Sequence, residues 1–385
     1  MCASPWGDSP SPEIKRLLGA APHQLTRHGL YCHREGIPPS TNVDALFREA
    51  ERLLLARGDV RVLDFNTGPG SQAENVIPTE EASLSSYVGV DQPAGSRLFR
   101  VDHHHDLKRL AQESTTPLAL AWLRAMCREG REDVLLGFTR ARYLADHCDA
   151  DILLANALAS RADDAGFVLG RFAEVMAAAA LRNDYVVAPP VGLEPEATRV
   201  FRACVGLERA VRAGEVSFDD ATRRWVVAME GWCQGRAGEE EARRLAGWEA
   251  EARDKEAEAL AKMTAWSLMG RVSRRAEGRV VVLEAPSKVD NSDLFLWVGA
   301  NVTPPPSVQV LTYPRGGDGS LHLVMKVRAH GGFDLNPVFT RLQERFPGAG
   351  FRGRAAAGGC PSLAHDDREP VLREVEAVLR AKGDG

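Results

Sequence analysis

With 385 residues, 44% of them hydrophobic and 26% charged, the chain exceeds one ordinary core and has a globular composition, so two domains are expected. The net charge of −5 argues against a general grip on long nucleic acid. No apolar run reaches the length of a membrane span. Seven cysteines, odd in number and without a CxxC pair, fit a reduced cytoplasmic protein rather than a disulfide framework or zinc knuckle.

In chain order, residues 1–27 read as a Pro/Ser-rich tail followed by a short helix or collar. Residues 28–33 form an expected strand ending in His33. Val43 to Arg57 repeats apolar residues at helical spacing and stops at Gly58. Strands are expected at Val60–Phe65, Tyr87–Asp91, Leu98–Val101 and Ala141–Ala145, with helices at Thr115–Gly130, Ile152–Ser160 and Val168–Leu181. Short buried-looking strands alternate with helices, and polar residues gather at the strand ends, the pattern of an open parallel α/β sheet. Residues 190–275 are helical, with close-set opposite charges, and read as a connector or insertion whose tryptophans anchor packing. A β signal returns at Arg279–Glu284, Ser307–Tyr313 and Leu321–Arg328, with helices at Leu335–Arg345 and Glu369–Lys382. The expected architecture is therefore α/β: a parallel-sheet domain over 28–189, a helical segment over 190–275, and a smaller α+β domain over 276–385.

Two polar clusters follow apolar strands. The first is Asp102-His103-His104-His105-Asp106, directly after Val101; the second is Asp146-His147-Cys148-Asp149-Ala150-Asp151, after Tyr143-Leu144-Ala145. Carboxylates and imidazoles this dense repel one another and lose solvation unless a cation sits among them. In an extended segment His147, Asp149 and Asp151 point the same way and suit a metal; a solvated loop with Asp151 capping the next helix is the alternative. Carboxylate and imidazole donors without thiolates favour Mn²⁺, or Mg²⁺. Asp164, beside Asp163, and Asp184 are weaker candidate ligands, and His105 and Asp106 are expected to orient the ligands.

VDHHHD after an apolar strand resembles the signature of the DHH phosphoesterase superfamily. KVRAHGGFDLNPVFTRLQERFPGAGFRGRAAAGG is similar to that superfamily's accessory substrate-binding domain, so the resemblance spans most of 28–185 and 279–381. It implies a two-domain hydrolase of phosphodiester or phosphoanhydride bonds with two manganese or magnesium ions. Asp102 and His103 then match metal ligands, His104 the motif's third letter, Asp91 the aspartate ending the preceding strand, and Asp163 the aspartate of a DTGxF-like turn, here DDAGF. Arg328 matches the strand arginine that meets phosphate. The chain departs from the family where an HxDxD cluster usually follows the first strand. Here that stretch reads CHREGIPPSTNVDAL, and the HxDxD string appears downstream as His147, Asp149 and Asp151, as if a later strand supplies what the first usually does. The glycine-rich loop reads GAGFRG, with Phe351 where a histidine is usual and Arg352 and Arg354 nearby.

The expected function is metal-dependent hydrolysis of phosphoester bonds in small nucleotides or short oligonucleotides. Asp91, Asp102, His103, His147, Asp149, Asp151 and Asp163 would be metal ligands, His104 or His105 the proton donor, and Arg328, Gly350, Arg352 and Arg354 the substrate contacts. No long nucleic acid or membrane partner is expected, and pairing with a second copy is left open. The alternative is a catalytically degenerate module that binds nucleotide or metal.

Overall fold

In a computed structural model of the chain, the residues described are 12–19, 23–38, 40–64, 81–93, 95–101, 114–184, 195–289, 291–316, 321–353 and 357–381. They fall into two units, the first reaching residue 252 and the second beginning at 253.

The first unit opens with α1 (Pro12–Leu18), β1 (His23–Thr26), β2 (Gly29–Cys32), α2 (Val43–Leu55), β3 (Val60–Leu63), β4 (Val90–Asp91) and β5 (Arg97–Val101). Next come α3 (Thr115–Arg128), α4 (Glu132–Arg140), β6 (Arg142–Ala145), α5 (Ala150–Ala159), α6 (Ala165–Val168) and α7 (Arg171–Asp184). The strands form one sheet in the order β1-β2-β6-β3-β5-β4. Its inner strands β2, β6, β3 and β5 run parallel, and β1 and β4 lie antiparallel at the edges. The latest strand in the sequence, β6, thus occupies the middle.

Strand alternation explains why both faces are covered. Leu30, Cys32, Val60, Val62, Leu98 and Leu144 pack with Leu46, Phe47, Ala50 and Leu54 of α2. Tyr31, Leu63, Phe99, Val101, Tyr143 and Ala145 face the opposite layer with Trp122 of α3, Phe138 of α4 and the leucines of α5. All ten residues of α5 are buried, which is why its sequence is apolar around the whole circumference. Arg61 is also buried on this face. Its Nη1 donates to the carbonyls of Phe138 at 3.1 Å, Thr139 at 3.1 Å and Ala141 at 2.9 Å. Burial holds this guanidinium down to about 9.

The helical stretch after residue 190 adds to the first unit's core and then passes into the second unit within its last helix. It contains α8 (Pro195–Arg212), α9 (Phe218–Asp220), α10 (Val226–Cys233) and α11 (Glu239–Leu268). Ala197, Val200, Cys204, Leu207 and Val211 make an apolar stripe on α8 that joins the first unit's core, as do Met229, Leu245 and Trp248. The alternating charges of this stretch lie on the opposite faces and mask that stripe in the sequence. Trp225 and Trp248 meet edge to face with ring centroids 4.9 Å apart, so they pack against each other. Gly206 lets α8 approach α11, because a Cβ there would lie 2.4 Å from the Cβ of Trp248. Gly206→Val is expected to destabilise the protein by about 1–3 kcal/mol through overpacking. Urea unfolding measures it, and an unchanged midpoint would contradict this packing.

The second unit continues from α11 with β7 (Val272–Arg275), β8 (Val280–Glu284), α12 (Asn291–Asn301), β9 (Val308–Pro314) and β10 (His322–Ala329). It ends with α13 (Asn336–Arg345), β11 (Arg352–Gly353), β12 (Ala357–Ala364) and α14 (Arg368–Ala381). Its mixed sheet runs β11-β12-β10-β9-β8-β7, with β8 and β9 parallel and the other pairs antiparallel. Val338 and Leu342 of α13 and Leu372 and Val375 of α14 cover Val280, Val282, Val310 and Val327. Leu294, Trp297 and Val298 of α12 cover Val281, Leu283 and Leu311 on the other face. The whole is the expected mixed α/β architecture, a parallel-sheet first part followed by an α+β second part.

Candidate metal centre

Because β6 sits between β2 and β3, the segments leaving these three strands emerge side by side. β3 ends at Leu63 and delivers Asp64, whose backbone N–H donates to Val101 O at 3.0 Å on β5. β6 ends at Ala145 and delivers Asp146, His147 and Asp149. β2 ends at Cys32 and delivers His33 and Arg34, and the Arg34 backbone N–H donates to Asp146 O at 2.6 Å. Asp64 is buried and has φ 50°, a left-handed conformation a non-glycine residue holds only when its surroundings impose it.

His147 is the hub. Its Nδ1 lies 2.7 Å from Asp146 Oδ1, and its Nε2 lies 3.2 Å from Asp64 Oδ2 and 3.5 Å from Asp149 Oδ2. One donor atom from each of Asp64, His147 and Asp149 falls within 4.8 Å of the others. Arg34 in turn holds Asp146, with its Nε donating to Oδ2 at 3.0 Å. A carboxylate gripping the imidazole on Nδ1 leaves Nε2 to face the remaining acids, the arrangement that orients a metal-binding histidine. Burial pulls the His147 imidazole down, but Asp149, Asp146 and Asp64 together hold it well above its ordinary value. Without a cation it is therefore an imidazolium bridging carboxylates. Two carboxylates and one imidazole are a donor set that suits Mn²⁺ or Mg²⁺, so these residues fit a divalent cation.

Asp151 stands apart from this set. The expected alternation stops at Asp149, which caps α5 by accepting from the Ile152 N–H at 3.0 Å. Asp151 therefore lies in the first turn of a helix and not on an extended edge. It is buried and accepts from the N–H groups of Thr115 at 2.7 Å and Thr116 at 2.8 Å, and from the Thr116 hydroxyl at 2.6 Å. Burial, Asp64 and Asp149 nonetheless raise it to about 7, so its charge belongs to the same electrostatic neighbourhood.

Two expected ligands lie elsewhere. Asp91 is exposed on the edge strand β4, opposite Arg97 at the beginning of β5. Since β4 runs antiparallel to β5, its end lies at the far edge of the sheet. Asp163 follows α5, which carries the chain away from the metal-centre edge. Its backbone N–H donates to the hydroxyl of Thr139, just before β6, at 3.0 Å. Asp164 caps α6. Asp102, His103, His104, His105 and Asp106 lie outside the described residues, as does Arg354; the described chain stops at Val101, beside Asp64.

In the second unit, Arg328 is buried on β10, with its guanidinium carbon 5.0 Å from the Phe295 ring centroid. His330 stacks on the same ring at 4.1 Å and its Nε2 lies 2.8 Å from Gln309 Oε1. Burial, followed by Arg328, lowers His330 to about 4, so it is neutral. Gly350 is exposed with φ 69°, and Arg352 is exposed on β11. Phe351, where the resemblance expects a histidine, is buried in the core against α13.

Asp64 is the residue the motif reading missed. The signal was present, since it ends the hydrophobic strand Val60–Leu63 just as Asp102 follows Val101. Asp146 opens the second polar cluster of the sequence, whereas Arg34 carries no motif and emerges only from strand order.

No family model and no curated protein matches the sequence. Among solved structures, the chain is similar to a pGpG-specific phosphodiesterase from Vibrio cholerae, at 13% identity and TM-score 0.30, over 47% of this chain and 59% of that one. It is similar to RecJ from Thermus thermophilus in complex with Mg²⁺, at 16% identity and TM-score 0.39, over 86% of this chain and 52% of that one. It is also similar to the DHH domain of a member of a ribosomal protein family, at 12% identity and TM-score 0.30, over 88% and 92% of the two chains. This chain thus spans just over half the length of the first two.

Proposed function

We propose that the protein is a divalent-metal-dependent hydrolase of phosphoester bonds in small nucleotides or short oligonucleotides. The observation that carries this reading is the convergence of Asp64, His147 and Asp149, from two separate strands, on one edge of a parallel sheet. The strand neighbouring Asp64 runs at that edge straight into the DHHHD sequence, and Asp102 and His103 are the residues that would complete the donor set. A divalent cation held there would lower the pKa of a water and balance charge growing on phosphate oxygens.

The chain's own residues divide the remaining work. Asp146, held by Arg34, fixes the His147 tautomer. His104 or His105 is the proposed proton donor to the leaving oxygen. Arg328, Gly350 and Arg352, with Arg354, are the proposed phosphate contacts of the second unit, since a guanidinium fork matches phosphate oxygens. The net charge of −5 favours small substrates over long strands.

A degenerate module that binds metal or nucleotide without turnover is the second reading. It is favoured by the way both ring nitrogens of His147 already face carboxylates. One assay separates the two. The purified protein with Mn²⁺ is offered generic phosphodiester and phosphomonoester substrates, beside chelator-treated protein and an Asp102→Asn/His103→Ala variant. Turnover that needs the metal and falls by about a hundredfold or more in the variant supports the hydrolase. Equal turnover in the variant rejects the site, and metal binding without turnover selects the degenerate module.

A further inference from the structure

At the edge of the first unit's sheet where the parallel strands begin, a cavity of about 660 Å³ is lined by Arg57, Arg97 and Arg140 together with Asp59, Ser96 and Asp133. It is separate from the metal centre: Asp59 precedes β3 and Arg97 opens β5, whereas Asp64 follows β3.

The charges here do not cancel. Asp59 is committed to Arg97, accepting its backbone N–H at 2.7 Å and lying 3.8 Å from its Nε. Asp133 lies 3.7 Å from Arg131. Among the described residues, the guanidiniums of Arg57 and Arg140 have neither an ion pair nor a hydrogen bond, so two positive charges face the cavity in a chain of net negative charge. A third cation stands close behind, since Arg142 donates to the Arg57 carbonyl at 3.2 Å. Like charges that line one cavity repel, and an anion among them relieves that repulsion.

Ser96 belongs to the same lining. Ser96 is only 4% exposed, and its hydroxyl has no hydrogen-bond partner among the described residues. A buried hydroxyl normally finds one. Two unpaired guanidinium forks match the acceptor oxygens of a phosphate group. Arg97 is fixed beside them, its Nη2 2.7 Å from where a Cβ on Gly137 would stand, so that glycine leaves it room to lie over α4.

We propose that this cavity binds a phosphate-bearing small ligand, with Arg57 and Arg140 as its cationic contacts. The site is independent of the metal centre and of the activity proposed there. It is tested by calorimetric titration of the full chain in chelator, so that the metal centre does not contribute, using inorganic phosphate in one arm and adenosine monophosphate in the other. Saturable binding is expected in at least one arm, and tighter binding of the nucleotide would identify a ligand larger than free phosphate. Arg57→Ala/Arg140→Ala is expected to weaken that binding by about tenfold or more, while His147→Ala leaves it within about twofold. Arg140→Ala alone, at an exposed position, keeps the test intact if the double variant misfolds, with a several-fold loss expected. No saturable binding in either arm, unchanged affinity in the arginine variants, or binding lost only with His147→Ala would each overturn the proposal.

Discussion

His147→Ala is expected to weaken Mn²⁺ binding by about a hundredfold or more and to flatten its dependence on pH. In the wild type the imidazole is held well above its ordinary value by Asp149, Asp146 and Asp64, against the opposing pull of burial. Coordination needs the neutral ring, so binding must expel a proton wherever the solution is more acidic than that raised value. The sign follows directly. Affinity rises with pH through neutrality by about tenfold per unit and levels off only above the imidazolium's own titration. Asp151, raised to about 7 by burial, Asp64 and Asp149, steepens the rise on the acid side, because a cation among those carboxylates favours its ionised form. Calorimetric titrations with Mn²⁺ between about pH 6 and 8 read both effects. Asp146→Asn is expected to cost about ten- to a hundredfold in affinity, although its carboxylate faces Nδ1 and not the metal position. Equal affinities and equal slopes in wild type and His147→Ala would remove His147 from the centre.

Arg61→Met is expected to cost about 3 kcal/mol or more of folding stability, the largest effect of any single substitution away from the site. The guanidinium is buried, and one of its nitrogens serves three carbonyls that close the turn from α4 into β6, while Nε approaches Asn156 of α5 at 3.5 Å. Methionine fills much of the volume but leaves those carbonyls without a donor, each worth about 1–3 kcal/mol when stranded away from water. Part of that loss is offset because a buried cation no longer has to be desolvated. Arg61→Lys is expected to recover only a fraction, since an ammonium cannot span the same acceptors. Urea denaturation at neutral pH measures this. A loss below about 1 kcal/mol for Arg61→Met would show that water reaches the carbonyls.

Much of the fold was legible because burial writes itself into residue type. The runs Val60–Leu63, Leu98–Val101 and Tyr143–Ala145 are apolar because these strands are covered on both faces, and their ends were found to within a few residues. Strand order is another matter. Nothing local in Arg142–Ala145 says that it inserts between β2 and β3, yet that insertion is what brings His147 beside Asp64. Asp91 was misplaced for the same reason: a two-residue antiparallel edge strand looks like the end of a parallel one until its partner is known. Asp151 was misread because alternation was carried past Asp149, where the backbone has already turned into α5. The long charged helices hid their role because a solvated face and a buried stripe coexist on α8, and the charges dominate its composition.

The late arrival of β6 has a consequence for how the chain acquires its structure. During synthesis β2 and β3 emerge well before the strand that joins them, so each exposes a row of unpaired backbone groups until residues 142–145 leave the ribosome. The central sheet cannot zip progressively from one end; it closes by threading a distant segment into a gap, with a large loop-closure cost and slow assembly. The two halves of the proposed metal-binding edge are thereby coupled in time, because the carboxylate on β3 and the imidazole after β6 meet only in the step that completes the domain.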